Sequence, residues 1–294
     1  MTETVAMGRL LRGILGDQEA RVLLCDTTAM AQAARGIHGA SNVCSAALGR
    51  AISAGALLSA SAEEAPNSLT MTFKGNGPAG SLVVVSHGRK LKAYIDNPAV
   101  TLPLRPDGKL DVGGAVGSNG RLTVVRDLGL KEPYVGQTSL QNGEIAEDVA
   151  FYCTVSEQQP TLCGLGVLVS EGGVLSSAGL MVQPLPGCGE KILGSLEARA
   201  PVYADLSAHA LEMTLEKMFE EFFRGLMPKV LAIEPLAFAC DCTRERMERV
   251  LLSLGREELT DMMRTQHGAE ITCNFCRTKH FFAEDELRAL LAQA

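Results

Sequence analysis

The stretch that decides the reading is Phe238-Ala-Cys-Asp-Cys-Thr243, answered after thirty intervening residues by Cys273-Asn-Phe-Cys276. Two close thiol pairs brought together supply the four soft ligands of a tetrahedral zinc site and leave no position open for water or substrate. Such a site is structural or regulatory, not hydrolytic. The other five cysteines, Cys25, Cys44, Cys153, Cys163 and Cys188, stand singly. Met1–Leu10 lacks the basic start and apolar core of a secretory signal, so structural disulfides are a poor default, and paired cysteines point to metal or redox chemistry. We expect one Zn2+ per reduced chain, held by Cys240, Cys242, Cys273 and Cys276. His267 and His280 are close enough in sequence to compete, but four thiols already complete the shell.

The segment between the pairs is built to close such a site. Thr243 can cap a helix whose apolar face is Met247, Val250, Leu251 and Leu254; Gly255 ends it, and Glu257–Arg264 gives a second short helix. A final helix carries Leu287, Leu290 and Leu291. Some sixty residues with few large apolar side chains make a weak core, so the metal is expected to supply much of the folding free energy, ~10–16 kcal/mol in small metallodomains. A zinc tetrathiolate carries a net charge of about −2. Arg244, Arg246, Arg277 and Lys279 either offset that charge or form a solvated basic face.

Working outward, the chain changes character near Cys188. The first 188 residues hold 14 Lys/Arg and 16 Asp/Glu, the last 106 hold 13 and 18, and 26 of the 30 glycines lie at or before Gly189. A Gly-punctuated, weakly charged body is therefore followed by a charged, mostly helical segment. In the body, short β-branched runs at Leu69–Phe73, Ser81–Ser86, Leu91–Ile95, Arg121–Arg126 and Leu165–Val169 read as strands, with helices at Asn42–Ala60 and Glu144–Ser156. Strands and helices do not strictly alternate, which favours α+β over a doubly wound sheet. We expect an α+β chain: an N-terminal mixed body over 1–188 with antiparallel-rich sheets, a helical linker over 189–235, and a small zinc-binding domain over 236–294.

The linker helix, Asp205–Met227 between Pro201 and Pro228, repeats apolar residues at three- and four-residue steps. Met213, Met218, Phe219, Phe222, Phe223 and Met227 form a polarizable stripe suited to partners of no fixed sequence. Such a stripe is ordinarily core; it serves both purposes if it is buried in one state and exposed in another.

Several function classes recede. Aromatics are 4% with no Trp, and the net charge is −7, so neither stacking nor phosphate attraction favours nucleic acid. A zinc-ribbon nucleic-acid module has the wrong sign of charge. Lys74–Gly80 lacks the Gly-Lys-Ser/Thr ending of a P-loop and reads as a hairpin turn, so nucleotide use is not expected. His38, His87 and His209 belong to no nucleophile motif. No run approaches 18 uninterrupted apolar residues, and we expect a soluble cytoplasmic protein that is not an enzyme. The rival in another class is a thiol-disulfide oxidoreductase using Cys273 and Cys276, which would want the pair at a helix N-terminus and no tight metal.

The segments Phe238-Ala-Cys-Asp-Cys-Thr-Arg-Glu-Arg-Met247 and Glu270-Ile-Thr-Cys-Asn-Phe-Cys276 closely resemble the zinc centre of the bacterial redox-regulated 33-kDa heat-shock chaperones. Nearly the whole chain shares the likeness, through Leu48-Gly-Arg50, Lys74-Gly-Asn-Gly-Pro-Ala-Gly80, Tyr94-Ile-Asp-Asn-Pro98, Gly143-Glu-Ile-Ala-Glu-Asp148, Ser156-Glu-Gln158 and Gln183-Pro-Leu-Pro-Gly187. Two departures lie away from the four paired cysteines: Cys44 in Ala40-Ser-Asn-Val-Cys44, and Lys92-Ala-Tyr94. The resemblance implies an ATP-independent holdase, idle when reduced and zinc-bound. It further implies that oxidation pairs Cys240 with Cys242 and Cys273 with Cys276, ejects the metal, unfolds the C-terminal region and exposes a site for unfolding client proteins, with homodimers forming in the oxidised state. Cys44 itself fits a small buried apolar role.

Overall fold

The computed structural model describes residues 4–61, 68–266 and 268–292, so His267 lies outside the described residues. Two compact units result, Thr4–Ala239 and a smaller one from Cys240 onward. The larger opens with the hairpin β1 (Thr4–Leu15) and β2 (Ala20–Asp26), then α1 (Thr28–His38) and α2 (Asn42–Ser61). A meander of β3 (Ser68–Lys74), β4 (Ser81–His87) and β5 (Lys90–Ile95) leads through α3 (Val112–Val116) to β6 (Arg121–Asp127), β7 (Tyr134–Ser139) and α4 (Ala146–Val155). Then come β8 (Leu162–Ser170), β9 (Gly173–Pro184), the helices α5 (Glu190–Tyr203), α6 (Leu206–Glu212) and α7 (Leu215–Phe222), and β10 (Lys229–Ala239).

All ten strands join one sheet in the order β7-β6-β3-β4-β5-β10-β1-β2-β9-β8. Its ladders are antiparallel except where β10 meets β5 in parallel through Ala237 and Phe238. Side chains alternate between faces, so β1, β2 and β9 feed two cores. Leu10, Leu23, Cys25 and Met181 face a core shared with α1, α2 and α4, whereas Leu11, Leu15, Val22, Leu24, Leu180 and Val182 face one closed by α5–α7. The central helix α2 is apolar enough over its 20 residues to cross a membrane by length and composition. From Val43 to Ser61 every residue except Arg50 is buried in this body. Gly179 of β9 lets α2 come close: a Cβ there would sit 2.8 Å from Leu57 and 2.9 Å from Ser53. The Ser53 hydroxyl is satisfied in turn by Thr27 Oγ1 at 2.7 Å.

The strands expected in the body are present, each within a few residues of its expected ends, and α2 covers the expected Asn42–Ala60. The segment after Gly189 differs from its reading. The single helix Asp205–Met227 is two, because the Met213 backbone is extended and Thr214 starts a new helix by accepting a hydrogen bond from Lys217 N at 3.3 Å. Pro201 lies inside α5, not before a helix start. Residues 229–235, grouped with the helical linker, are strand, since β10 lies along β1 with Pro235 opposite Arg9.

The three helices hold together as a layer. Arg199 of α5 donates to the Phe222 and Arg224 carbonyls at 2.9 and 2.8 Å, satisfying groups at the C-terminal end of α7. The Phe219 ring lies against bare backbone at Gly13 of β1, where an added Cβ would come within 2.6 Å of its Cε2 atom. Gly13→Val is therefore expected to lift α7, lowering stability by ~1–3 kcal/mol in urea unfolding and raising hydrophobic-dye binding. Gly36→Ala in α1, where a Cβ meets nothing within 4 Å, should instead gain about 0.5–1 kcal/mol. Equal midpoints for the two variants would contradict this packing.

Candidate metal centre

The smaller unit consists of α8 (Arg244–Leu254), α9 (Arg256–Gln266), β11 (Gly268–Thr272), β12 (Lys279–Ala283) and α10 (Glu284–Leu291). Thr243 caps α8 as expected, its side chain accepting from Arg246 N at 3.3 Å, and Gly255 ends that helix at φ 91°. Two arms carry the thiols. Cys240 and Cys242 lie in the irregular segment leading into α8, while Cys273 and Cys276 lie in the turn between β11 and β12. In that turn Cys273 N donates to the Thr278 carbonyl and Arg277 N to the Cys273 carbonyl, both at 2.9 Å, with Arg277 left-handed at φ 59°.

All four sulfurs lie within 4.8 Å of one another. The contacts across the arms are Cys240 to Cys273 at 3.7 Å and Cys242 to Cys276 at 3.2 Å. A tetrahedron with metal–sulfur bonds of ~2.3 Å has edges of roughly 3.8 Å, so the spacing suits a zinc-sized ion. The donor chemistry agrees. The Cys240 thiol donates to Cys273, which pushes Cys240 up and holds Cys273 well below the usual thiol range, helped by the Cys276 and Phe275 N–H groups. Desolvation and the neighbouring Cys276 push Cys242 up to about 12. Without a cation the cluster keeps protons; a soft dication at its centre would release them.

The surrounding residues tie both arms to a small core of Met247, Leu251, Leu259, Ala269, Phe282, Leu287, Leu290 and Leu291, against which Cys242 also packs. Arg244, two residues past Cys242, lies 4.3 Å over the Phe282 ring and pairs with Glu286 at 2.5 Å. Glu286 in turn accepts from Ala283 N at 2.9 Å at the start of α10. Asp241 pairs with Arg246 at 2.5 Å and Lys279 with Glu270 at 2.9 Å. Three of the four basic residues expected near the sulfurs thus face carboxylates. The sequence reading missed these pairings, although acidic residues at 241, 270 and 286 were the available signal.

Among the described residues the converging ligand set is the four cysteines; His280 stands on β12 outside it. Cys273 follows a strand and enters a turn, and does not open a helix, so the oxidoreductase arrangement is not favoured. The six residues of the helical stripe divide: Met218, Phe219, Phe222 and Phe223 are buried, Met213 is partly buried, and Met227 is 68% exposed. His38 is buried with Nε2 3.0 Å from the Ala93 carbonyl oxygen, and His209 packs edge-on to Phe222.

The family model described as Hsp33 protein matches residues 8–283. The chain belongs to the Hsp33 family. A relative named 33 kDa chaperonin from Ruminiclostridium cellulolyticum is 40% identical over 269 residues, covering 91% of this chain and 92% of that one. Another of that name, from Acetivibrio thermocellus, is 39% identical over 285 residues, covering 96% of both. The crystal structure of the 33 kDa chaperonin from Thermotoga maritima is similar at a TM-score of 0.87, with 35% identity and 98% of each chain covered. Membership agrees with the mixed α/β body and the C-terminal cysteine cluster of this Hsp33 chain.

The five single cysteines stand apart from the cluster. Burial pushes Cys25 and Cys153 up to about 12 and raises Cys44 and Cys163. Cys44 fills the buried position expected of it. Only the thiolate is nucleophilic, so these groups stay protonated at neutral pH and inert. With the native reduced protein at pH 7.5, iodoacetamide and peptide mass mapping should find Cys25 and Cys153 unmodified when the half-buried Cys188 is already labelled. Prompt labelling of Cys25 would contradict the burial.

Proposed function

We propose that this chain is a redox-regulated, ATP-independent holdase, idle while its four thiols hold Zn2+ and active toward unfolding proteins once they are oxidised. The observation that carries this is the convergence of Cys240, Cys242, Cys273 and Cys276 within 4.8 Å. Bound there, the metal supplies ligation energy of ~10–16 kcal/mol to a unit whose apolar core is small.

Peroxide is the oxidant class considered. A thiolate of the cluster attacks the O–O bond to give a sulfenic acid and one water; its neighbour then displaces a second water and closes the disulfide. Each bridge consumes one hydrogen peroxide and leaves two waters, and two bridges remove four electrons. Disulfide sulfur no longer offers the thiolate pair that ligation needs.

The pairing proposed is Cys240 with Cys242 and Cys273 with Cys276, as the resemblance implies. Sulfur proximity alone does not select it, because the sulfur–sulfur contacts of 3.7 and 3.2 Å run across the arms. The consequences differ. Cross-arm bridges would close spans of 33 and 34 residues and keep the arms clamped. Local bridges close very small loops and remove little unfolded-state entropy, so the metal's contribution is lost with little return. The unit then unfolds.

The client surface is proposed in the region 189–235. The stripe of Met213, Met218, Phe219, Phe222, Phe223 and Met227 and the sheet face beneath it become available when α5–α7 loosen. In this reading 1–188 is the body, 189–235 the linker and 236–294 the switch, acting in the cytoplasm without nucleotide and forming homodimers when oxidised.

Peroxide with mild heat should release one zinc per chain, yield the two local disulfides in a non-reducing peptide map, lower helicity and confer suppression of aggregation of a thermally unfolding enzyme. Suppression that is equally strong in the reduced, zinc-loaded protein would contradict the proposal.

A further inference from the structure

We infer that Thr278 is a positioning residue of the metal centre, its hydroxyl donating a hydrogen bond to the Cys276 sulfur and holding that sulfur as a ligand. This rests on the zinc reading above. The sulfurs are supported in different ways. The Cys242 N–H points at Cys240, and the Cys276 and Phe275 N–H groups point at Cys273. For the half-buried Cys276 the partner is a side chain, Thr278 Oγ1 at 3.2 Å, which accepts from the thiol while that thiol is protonated. A metal-bound thiolate has no proton to give, so the hydroxyl is the donor, and a hydrogen bond to an anion is stronger than a neutral one.

Local geometry fixes Thr278 in this role. The left-handed Arg277 turns the chain back, and the Thr278 carbonyl accepts from Cys273 N at 2.9 Å. One residue thus closes the turn through its backbone and touches the other end of the cysteine pair through its side chain. A β-branched residue is stiff about χ1, which keeps the hydroxyl aimed. Groups that support metal ligands in this way are typically worth 10–100-fold in metal affinity.

Thr278→Val keeps the branched shape and removes the donor; Thr278→Ser keeps the donor and removes the methyl. Zinc affinity of the full-length reduced protein is measured by competition with a chromophoric chelator. The cobalt-substituted proteins are compared by their sulfur-to-cobalt charge-transfer bands, with far-UV circular dichroism as the check on folding. The expected result is an affinity loss of about 10–100-fold for Thr278→Val, a charge-transfer band moved to lower energy as the sulfur lone pair loses its donor, and near wild-type behaviour for Thr278→Ser. Unchanged affinity and spectrum in Thr278→Val, or a loss in Thr278→Ser as large as in the valine variant, would overturn the assignment while leaving the zinc reading intact. Wild-type protein that binds no zinc would overturn the zinc reading, and this inference with it.

Discussion

Four sulfur atoms within 4.8 Å of one another cannot all be anionic unless a cation lies among them. That constraint organises the smaller unit. Among the described residues its helices and hairpin bury a core of eight apolar side chains, and its two arms are tied to that core through Arg244, Phe282 and Glu286. What keeps the sulfurs together therefore also keeps the core together. In the proposed function, chemistry that changes the sulfurs acts on folding, with no need for a bound substrate.

The larger unit answers a different physical demand. A sheet of ten strands exposes two faces, and both faces of β1, β2 and β9 are apolar. One is sealed by the buried helix α2 and its neighbours. The other is sealed by α5–α7, a layer of short helices with a break at Met213, a proline inside α5 and a phenylalanine seated on bare backbone at Gly13. The break at Met213 gives this otherwise packed layer a place where local opening can begin. The proposed client surface uses this difference between the two faces.

Much of this is legible in the sequence. The cysteine cluster is readable because thiol pairs two and three residues apart are rare outside metal sites, and β3–β6 because short β-branched runs are bounded by turn residues, with a clear period of two in β3 and β6. The central strands were harder. β2 is buried on both faces through Val22–Cys25, so its apolar run carries no period that separates strand from helix. β10 was hidden by Pro235 and by its place after a helical stretch, and only its pairing with β1 makes it a strand. The break at Thr214 was a capping signal inside a continuous apolar period. Thr278 and Arg244 were out of reach because their partners are set by the turn at Arg277 and by the approach of α10, not by spacing along the chain.

The account's central claim is that metal ligation folds the smaller unit and leaves the larger one to its own cores. Amide hydrogen exchange on the reduced protein before and after zinc chelation tests it directly. The account predicts that protection collapses from Cys240 onward while β1–β9 and α2 keep theirs. Protection retained through α8–α10 after the metal has been removed would contradict it.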